Sequence, residues 1–304
     1  LEVVKCKTVD LEVPAYAEIV IEGEVSTSVL EQEGPFGESI GYMSLTQPRP
    51  IFTVKCITHR KNPVLLGFIS QFQPSESSKI KRLGTSAAVY KHLRYSAGFD
   101  KVQRVVIAET SDAQYFTVIQ VKGAKTEEVW KILEETQRAR LDSKIIIAVD
   151  DDVDPDDFDS IVWALSMRFQ PHRDLRVISR PCNGLTDVSL APMEVMEQAR
   201  EAYLPELPTQ SYLLIDATIK WPLPPVSLPK KEFMDRALQI WKEEGLPELK
   251  LKEPYYGRNL GYWHPEDEQK AQWALQGEYQ KTGELQATQQ MPGGPHYCLW
   301  GDRK

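Results

Sequence analysis

Two glutamates, Glu33 and Glu38, flank the four residues Gly-Pro-Phe-Gly, and a Gly-Tyr pair follows at 41–42. Glycines and a proline favour a tight turn, and the Val- and Ile-containing run before it is typical of a strand. A tight, glycine-bracketed loop can hold two carboxylates near one substrate, where one serves as an acid and the other as a base. The spacing therefore makes these residues candidates for acid-base catalysis.

The same six residues also have a purely structural interpretation. Gly-Pro-x-Gly is an ordinary turn sequence, and glutamates beside a turn are commonly solvated. Residue types and spacing by themselves leave both interpretations open.

The elements that must position this loop are strands followed by a helix. Runs rich in Val, Ile and Thr predict strands at 2–13, 17–25, 51–58 and 63–70. These strands indicate part of a barrel or sandwich that needs further strands from elsewhere. Apolar residues at helical spacing predict a connecting helix within residues 77–96. Gly84 lies inside this helix and predicts either close packing or a break there.

A second domain is predicted over residues 97–220. Strand-like and amphipathic helical segments alternate in the order ββαβαβ, with strands at 102–108, 115–121, 145–149 and 175–178 and helices at 126–138 and 156–168. This order predicts an α/β sandwich with helices on one face of the sheet.

The remaining residues, 221–304, predict a C-terminal helix at 230–244 and then a polar arm or disordered tail. The predicted fold class is therefore α+β. Residues 1–76 form part of a barrel or sandwich, and the connecting helix, the α/β sandwich and the C-terminal arm follow.

Composition excludes several classes of partner. The 304 residues carry a formal net charge of −8, which argues against nucleic acid or an anionic membrane surface as the main partner. No stretch approaches the roughly 18 consecutive apolar residues that span a bilayer. Four widely spaced cysteines do not form a disulfide framework. We expect a cytoplasmic protein and, since the first residue is Leu1, part of a longer or split protein.

An acidic run at 150–157 resembles the carboxylate clusters that bind hard cations. The sequence Asp154-Pro155 is, however, typical of a helix start, with proline at the first helical position and carboxylates favoured by the helix dipole. The five histidines show no metal-ligand spacing. We therefore expect no metal ligands in this chain.

Several motifs together resemble the UbiD family of prenylated-flavin-dependent decarboxylases. The loop at 33–38 and the Gly-Tyr pair match the family's Glu-Gly-Pro-Phe-Gly-Glu (or Asp) pattern, and the resemblance covers roughly residues 1–220. The other matching segments are Val-Val-Lys-Cys-Lys-Thr at 3–8, Val-Pro-Ala at 13–15, Glu-Ile-Val-Ile-Glu-Gly at 18–23, Ser-Gln-Phe at 70–72, Pro-Ser-Glu-Ser at 74–77, Val-Asp-Asp-Asp-Val-Asp-Pro at 149–155 and Val-Trp-Ala-Leu-Ser at 162–166.

The resemblance implies a role for each candidate site residue. Glu38 would be the acid that protonates the carbon left after CO₂ departs, and burial would favour its neutral form. Glu33 would belong to an Arg–Glu network that orients Glu38, with an arginine that lies upstream of this chain. Substrate contacts are implied for Leu83, for Ser39, which directly follows the acid, and for Leu165. Both leucines also fit a helix core.

The resemblance also implies that residues 1–76 are the remainder of a split β-barrel, and it implies the reaction and its cofactors. Family members remove CO₂ reversibly and without oxidation from aromatic or α,β-unsaturated acids, using prenylated FMN with a divalent metal, Mn²⁺, and K⁺. The flavin and metal are bound by an upstream half that nothing in this chain matches. We therefore expect the chain to need that N-terminal half or a flavin-binding subunit, to be inactive alone, and to form a homo-oligomer, either a dimer or a hexamer.

Two alternatives of other classes stay open. The chain can be a non-catalytic oligomerisation module or a subunit of a split decarboxylase, or it can be a flavin-reductase-like split barrel that binds ordinary flavin. The Glu33 and Glu38 pair favours an acid-base role over a pure scaffold, because a scaffold does not need two carboxylates on one loop. The Ser-Gln-Phe motif favours phenolic or heteroaromatic acids over cinnamic acids as substrates.

Overall fold

A computed structural model describes residues 1–44, 46–140, 143–181, 187–190, 209–221, 228–249 and 265–288. The chain divides into two compact units. The first comprises Leu1–Thr85 and Ile107–Tyr115, and the second comprises Ser86–Val106 and Phe116–Lys304. Strands and helices both contribute, which confirms the mixed α+β class.

The first unit contains two separate antiparallel pairs of strands. Strand β1 (Val3–Lys5) pairs with β2 (Glu12–Pro14), and β3 (Ile19–Glu33) pairs with β4 (Gln47–His59). Closure of these strands into a split barrel stays a prediction.

The β3–β4 pair forms a long ribbon whose apolar side chains are largely exposed. Register shifts occur after Glu22 and between Val25 and Leu30. Val25 is 60% exposed, and Ile57 on the opposite strand is 59% exposed. A two-stranded sheet is marginally stable by itself, so this ribbon requires a covering surface.

The strand predicted at 63–70 is wrong, because this segment pairs with no strand in the part of the chain that the structure describes. The residues that give this segment a strand-like composition are apolar and exposed. Those more than 50% exposed include Val64, Leu65, Leu66 and Ile69. Composition alone does not supply a neighbouring strand, and pairing requires one.

Helix α1 (Glu76–Lys91) follows where the connecting helix is predicted, and a π-helical turn (His92–Ser96) continues it. Its first turn is capped reciprocally: the Ser78 N–H donates to Ser75 Oγ (3.1 Å) and the Ser75 N–H donates to Ser78 Oγ (2.9 Å). The close packing or break expected at Gly84 is wrong. The helix is continuous there, and a Cβ at Gly84 would meet no atom within 4 Å.

The second unit is built on a five-stranded sheet in the order β5-β6-β7-β9-β8. Strands β6, β7 and β9 are parallel, and β8 runs antiparallel to β9. The strands are β5 (Val102–Ile107), β6 (Phe116–Val121), β7 (Ile145–Asp150), β8 (Leu175–Pro181) and β9 (Thr209–Asp216).

Helices cover both faces of this sheet rather than one, which corrects the predicted arrangement. Ile147 and Val149 of β7 join a buried cluster with Ile161 and Ala164 of α3 (Phe158–Met167). Alternation along the strand turns the fully buried Ile146 to the opposite face, and α2 (Thr126–Ala139) contacts β7 and β9. The order of elements along a chain does not show on which face each helix packs.

The remaining elements are a short α4 (Pro171–Asp174) and the helices α5 (Lys231–Glu243), α6 (Pro265–Leu275) and α7 (Tyr279–Thr288). The last two replace part of the predicted disordered tail. Other parts of the predicted arm, residues 222–227, 250–264 and 289–304, lie outside the described residues. Among the described helices, none has the length and apolar character of a membrane span.

Candidate functional site

Glu33 is the last residue of β3 and lies opposite Gln47 of β4. The Arg49 guanidinium approaches it, with 3.6 Å between Arg49 Nε and Glu33 Oε2, and both side chains are more than half exposed. Arg49 Nη2 also donates to Gln47 Oε1 (2.9 Å). An exposed pair of this kind contributes about 0–1 kcal/mol to stability, so its main effect is to orient the two charges.

The acidic loop, residues 33–44, is closed at its base by two hydrogen bonds. The Ser44 N–H donates to the Phe36 carbonyl (2.8 Å), and the Phe36 N–H donates to Ser44 Oγ (3.0 Å). A bridge between Gly37 and Met43 continues this pairing. The loop is therefore a small hairpin of defined shape rather than an open connection.

Glu38 begins the tight turn at the tip of this hairpin and is half-buried. Its N–H donates to the Tyr42 carbonyl (2.9 Å), and its carbonyl accepts from the Gly41 N–H (3.0 Å). Gly41 has φ of +91°, a conformation that side chains other than glycine rarely adopt. The backbone on both sides of the Glu38 Cα is therefore fixed by hydrogen bonds.

A second segment packs against the loop. A Cβ at Gly37 would lie 2.9 Å from the Gln71 side chain, and a Cβ at Gly41 would lie 2.6 Å from the Phe72 ring. Gln73 Nε2 donates to the carbonyl of Ser39, the residue after Glu38. The loop glycines thus indicate a close approach, but the sequence does not reveal which residues approach.

Sequence reasoning missed Arg49 and Gln73 as neighbours of the carboxylates. It assigned the arginine of the Glu33 network to a region upstream, whereas Arg49 of this chain makes the contact found here. The roles of Glu33 and Glu38 stay predictions.

The other candidate residues are more scattered. Ser39 lies half-buried beside Glu38. Leu83 lies on α1 in the first unit and is 75% exposed, so it is not part of a helix core there. Leu165 belongs to the second unit, where it packs against the buried cluster around α3, as its alternative interpretation as a core residue expects.

The acidic run at 150–157 caps a helix and forms ion pairs, although the predicted cap is wrong. Asp157 is the N-cap of α3, and its carboxylate accepts from the Ser160 N–H (3.1 Å). Asp154 instead accepts from Arg104 (3.0 Å). The helix begins at Phe158, three residues after Pro155, because Asp157 provides the side-chain acceptor that the first turn needs.

The described residues fit a flavin-dependent site only in part. They place Glu33 and Glu38 on one closed loop, and in the described ranges no group of three or more His, Cys, Asp or Glu side chains could hold a metal ion.

Two family models match the chain in sequence order. The 3-octaprenyl-4-hydroxybenzoate carboxy-lyase Rift-related domain matches residues 1–71, and the C-terminal domain of the same carboxy-lyase matches residues 80–198. Together they cover more than half of the 304 residues. This chain belongs to the UbiD family. The resemblance inferred from its motifs is thereby confirmed.

Individual relatives agree with this UbiD assignment. An uncharacterized protein from Archaeoglobus fulgidus is 31% identical over 223 residues, which are 73% of this chain and 43% of the relative. The UbiD-class enzyme HmfF from Pelotomaculum thermopropionicum, solved as an evolved dimeric form in complex with prFMN, is 29% identical with a TM-score of 0.58, covering 75% of this chain and 46% of that chain.

The vanillic acid decarboxylase of Sedimentibacter hydroxybenzoicus, solved in a closed form, is 27% identical to this UbiD-family chain with a TM-score of 0.57. The match covers 79% of this chain and 49% of that chain. The chain therefore spans less than half the length of each of these three relatives.

Proposed function

We propose that this UbiD-family chain supplies the acid-base loop of a carboxy-lyase that acts with prenylated FMN. The substrate is an aromatic or α,β-unsaturated carboxylic acid. One observation carries the proposal: Glu38 is held by backbone hydrogen bonds on both sides at the tip of a closed hairpin. A solvated surface turn needs no such fixation, whereas a proton donor gains from a fixed position.

The division of chemical work follows from the positions of the two carboxylates. When bound, prenylated FMN would supply the electron sink for cleavage of the carbon–carboxyl bond. Protonated Glu38 then delivers its proton to the carbon that lost CO₂. Glu33 lies 3.6 Å from Arg49 and orients the loop through this ion pair. The relatives solved with prFMN and with vanillic acid decarboxylase activity in their names support this reaction class.

A flavin-binding partner region completes the proposal. We assign the flavin phosphate, a divalent metal such as Mn²⁺ and K⁺ to an N-terminal half or a separate flavin-binding subunit. The exposed apolar side chains of the β3–β4 ribbon support such a partner, since burial of apolar surface contributes about 25 cal/mol per Å². We further propose that the complete protein is a homo-oligomer, dimeric or hexameric.

The test is CO₂ release by the complete protein with prenylated FMN, on a panel of aromatic and unsaturated acids that includes vanillic acid. Glu38→Gln is expected to lower kcat by at least about 10²-fold, because a positioned general acid contributes about 10²–10⁴-fold. Glu33→Gln is expected to be severe as well, because the charge that orients the loop is lost.

Glu31→Gln is the matched control, since Glu31 is an exposed glutamate on β3, the strand that ends at Glu33. It should retain the wild-type rate. A Glu38→Gln rate within twofold of wild type would remove Glu38 from the reaction. An inactive wild-type complete protein that binds no flavin would favour the oligomerisation-module alternative.

A further inference from the structure

The acidic loop is held by a short segment just before α1. This segment is residues 71–73, Gln-Phe-Gln, and its Gln71 and Phe72 fill the space that side chains at Gly37 and Gly41 would otherwise occupy. Gln73 is only 9% exposed, and its amide is committed to the Ser39 carbonyl. Burial of a glutamine amide costs free energy unless the amide is hydrogen-bonded. The hydrogen bond to Ser39 therefore indicates that Gln73 has a specific role beside the candidate proton donor.

This segment is itself anchored to the first turn of α1. Glu76 Oε2 accepts from the Ile69 N–H (3.1 Å), and Ser70 Oγ donates to Ser77 Oγ (3.1 Å). Ser75 caps the helix at the same place. The 71–73 segment therefore projects from a fixed helix start, and the side chain of Gln73 transmits that position to the loop.

We propose that Gln73 is a positioning residue for Glu38: its side-chain amide fixes the Ser39–Ile40 peptide, the second peptide after the Glu38 Cα, and so sets where the carboxyl group stands. The inference rests on the proposed function for the catalytic consequence, but the positioning itself does not depend on any activity. Gln73 contacts the loop backbone rather than the reacting atoms, so it acts through Glu38. The Ser39 carbonyl is the atom through which it acts.

The consequence for the reaction is a selective loss of rate. Without the Gln73 amide, the tip of the hairpin keeps its own hydrogen bonds and its packing against Gln71 and Phe72, but it loses the hydrogen bond at Ser39 and can fluctuate more. A displacement of about 1 Å at a proton donor can cost up to about 10²-fold in rate. Binding of the acid substrate would change little, because Gln73 is not assigned a substrate contact.

Two variants test the contribution of the Gln73 side-chain amide. Gln73→Met keeps the length of the side chain without the donor. Gln73→Glu keeps the shape, repels the Ser39 carbonyl when ionised, and can donate again when protonated. Ser70→Ala is the matched control. It removes the hydrogen bond between Ser70, which directly precedes the 71–73 segment, and Ser77 of α1.

The first readout is hydrogen exchange in the complete protein, at the amides of Glu38 and Gly41. Loss of one hydrogen bond is expected to speed their exchange about tenfold in Gln73→Met, with the amides of β3 and β4 unchanged. In Gln73→Glu, protection should return as the pH falls and the new carboxyl group takes up its proton. Ser70→Ala should match wild type at the loop.

The second readout is steady-state kinetics with prenylated FMN. Gln73→Met is expected to lower kcat about tenfold or more and to leave KM within twofold, because the interaction matters for proton delivery rather than for binding. Glu38→Gln measured alongside tests the proposed function separately. If Glu38→Gln keeps its rate, the proposed function fails while hydrogen exchange still decides the positioning inference.

Three results would overturn the inference. One is unchanged loop exchange in both Gln73 variants. Another is an equal rise in exchange across β3 and β4, which would make Gln73 a general support of the unit. The third is protection in Gln73→Glu that stays low at every pH, which would show that donation to the Ser39 carbonyl is not what protects the loop.

Discussion

At the scale of single residues, the chain places its carboxylates in contrasting surroundings. Glu33 is exposed beside Arg49, and Glu38 is half-buried in a hydrogen-bonded turn. The sequence identifies both glutamates as candidate acid-base residues because the motif that contains them is local. It does not predict Gln73, which lies 34 positions from Ser39, because no local pattern specifies a long-range side-chain contact with a backbone carbonyl.

A third glutamate, Glu22, has a structural task. It is buried in the first unit, and its carboxylate accepts from the backbone N–H groups of Lys7 (2.8 Å) and Thr8 (2.7 Å) and from Thr8 Oγ1 (2.8 Å). The hydrogen bond from the Lys7 backbone is the main cause that holds the pKa of Glu22 below its ordinary 4.5, with burial opposing it. Glu22 thereby ties the β1–β2 pair to β3.

The sign of the pH dependence follows from that lowered pKa. The ionised form is favoured in the folded state, so its contribution is complete above about pH 5 and is lost as the pH falls through the folded-state pKa. Protection factors of the Lys7 and Thr8 amides are expected to fall in wild type as the pH drops through that lowered pKa. In Glu22→Gln they should be low at every pH. Protection in Glu22→Gln that equals the wild-type protection at pH 7 would contradict this account.

At the scale of elements, periodicity predicts most helices and strands, and it fails where pairing or capping decides. The helix predicted at 126–138 is α2, since its apolar positions recur on one face that packs on the sheet. The segment at 63–70 fails for lack of a partner strand. The start of α3 shifts from Asp154 to Asp157 because several adjacent aspartates can cap and only the geometry selects one.

Arg168 joins the elements of the second unit. It follows α3 and donates to Asp152 (2.6 and 2.8 Å) and to Asp150 (3.2 Å), all three side chains being buried. Asp150 ends β7 and also accepts from the Ile219 N–H (2.7 Å), which lies beyond β9. The Arg168 guanidinium therefore links α3 to the edge of the sheet where the parallel strands β7 and β9 end.

Removal of the Arg168 guanidinium should destabilise the second unit strongly. Arg168→Met is expected to lower the free energy of unfolding by about 3–5 kcal/mol, because it leaves buried carboxylates uncompensated. Arg104→Met is the matched control, since Arg104 pairs with Asp154 and Asp156 at the surface and should cost about 1 kcal/mol or less. Urea denaturation measures both, and equal losses in the two variants would refute the assignment.

At the scale of the whole molecule, the UbiD-family chain spans less than half the length of the three relatives described above and has an exposed apolar ribbon. The α+β class can be predicted from the sequence because alternating patterns specify it. The surface that covers the ribbon cannot, because no local sequence pattern specifies which side chains pack on it. The acid-base loop is thus a local feature whose chemistry we assign to a larger assembly.

The measurement that tests this account most directly is native mass spectrometry of the protein from its natural source. We predict that the acid-base loop occurs in an assembly that includes a flavin-binding region, on the same or a companion chain, together with a ligand of the mass of prenylated FMN and a divalent metal. An assembly that contains only this chain and binds no flavin would contradict the proposed carboxy-lyase function.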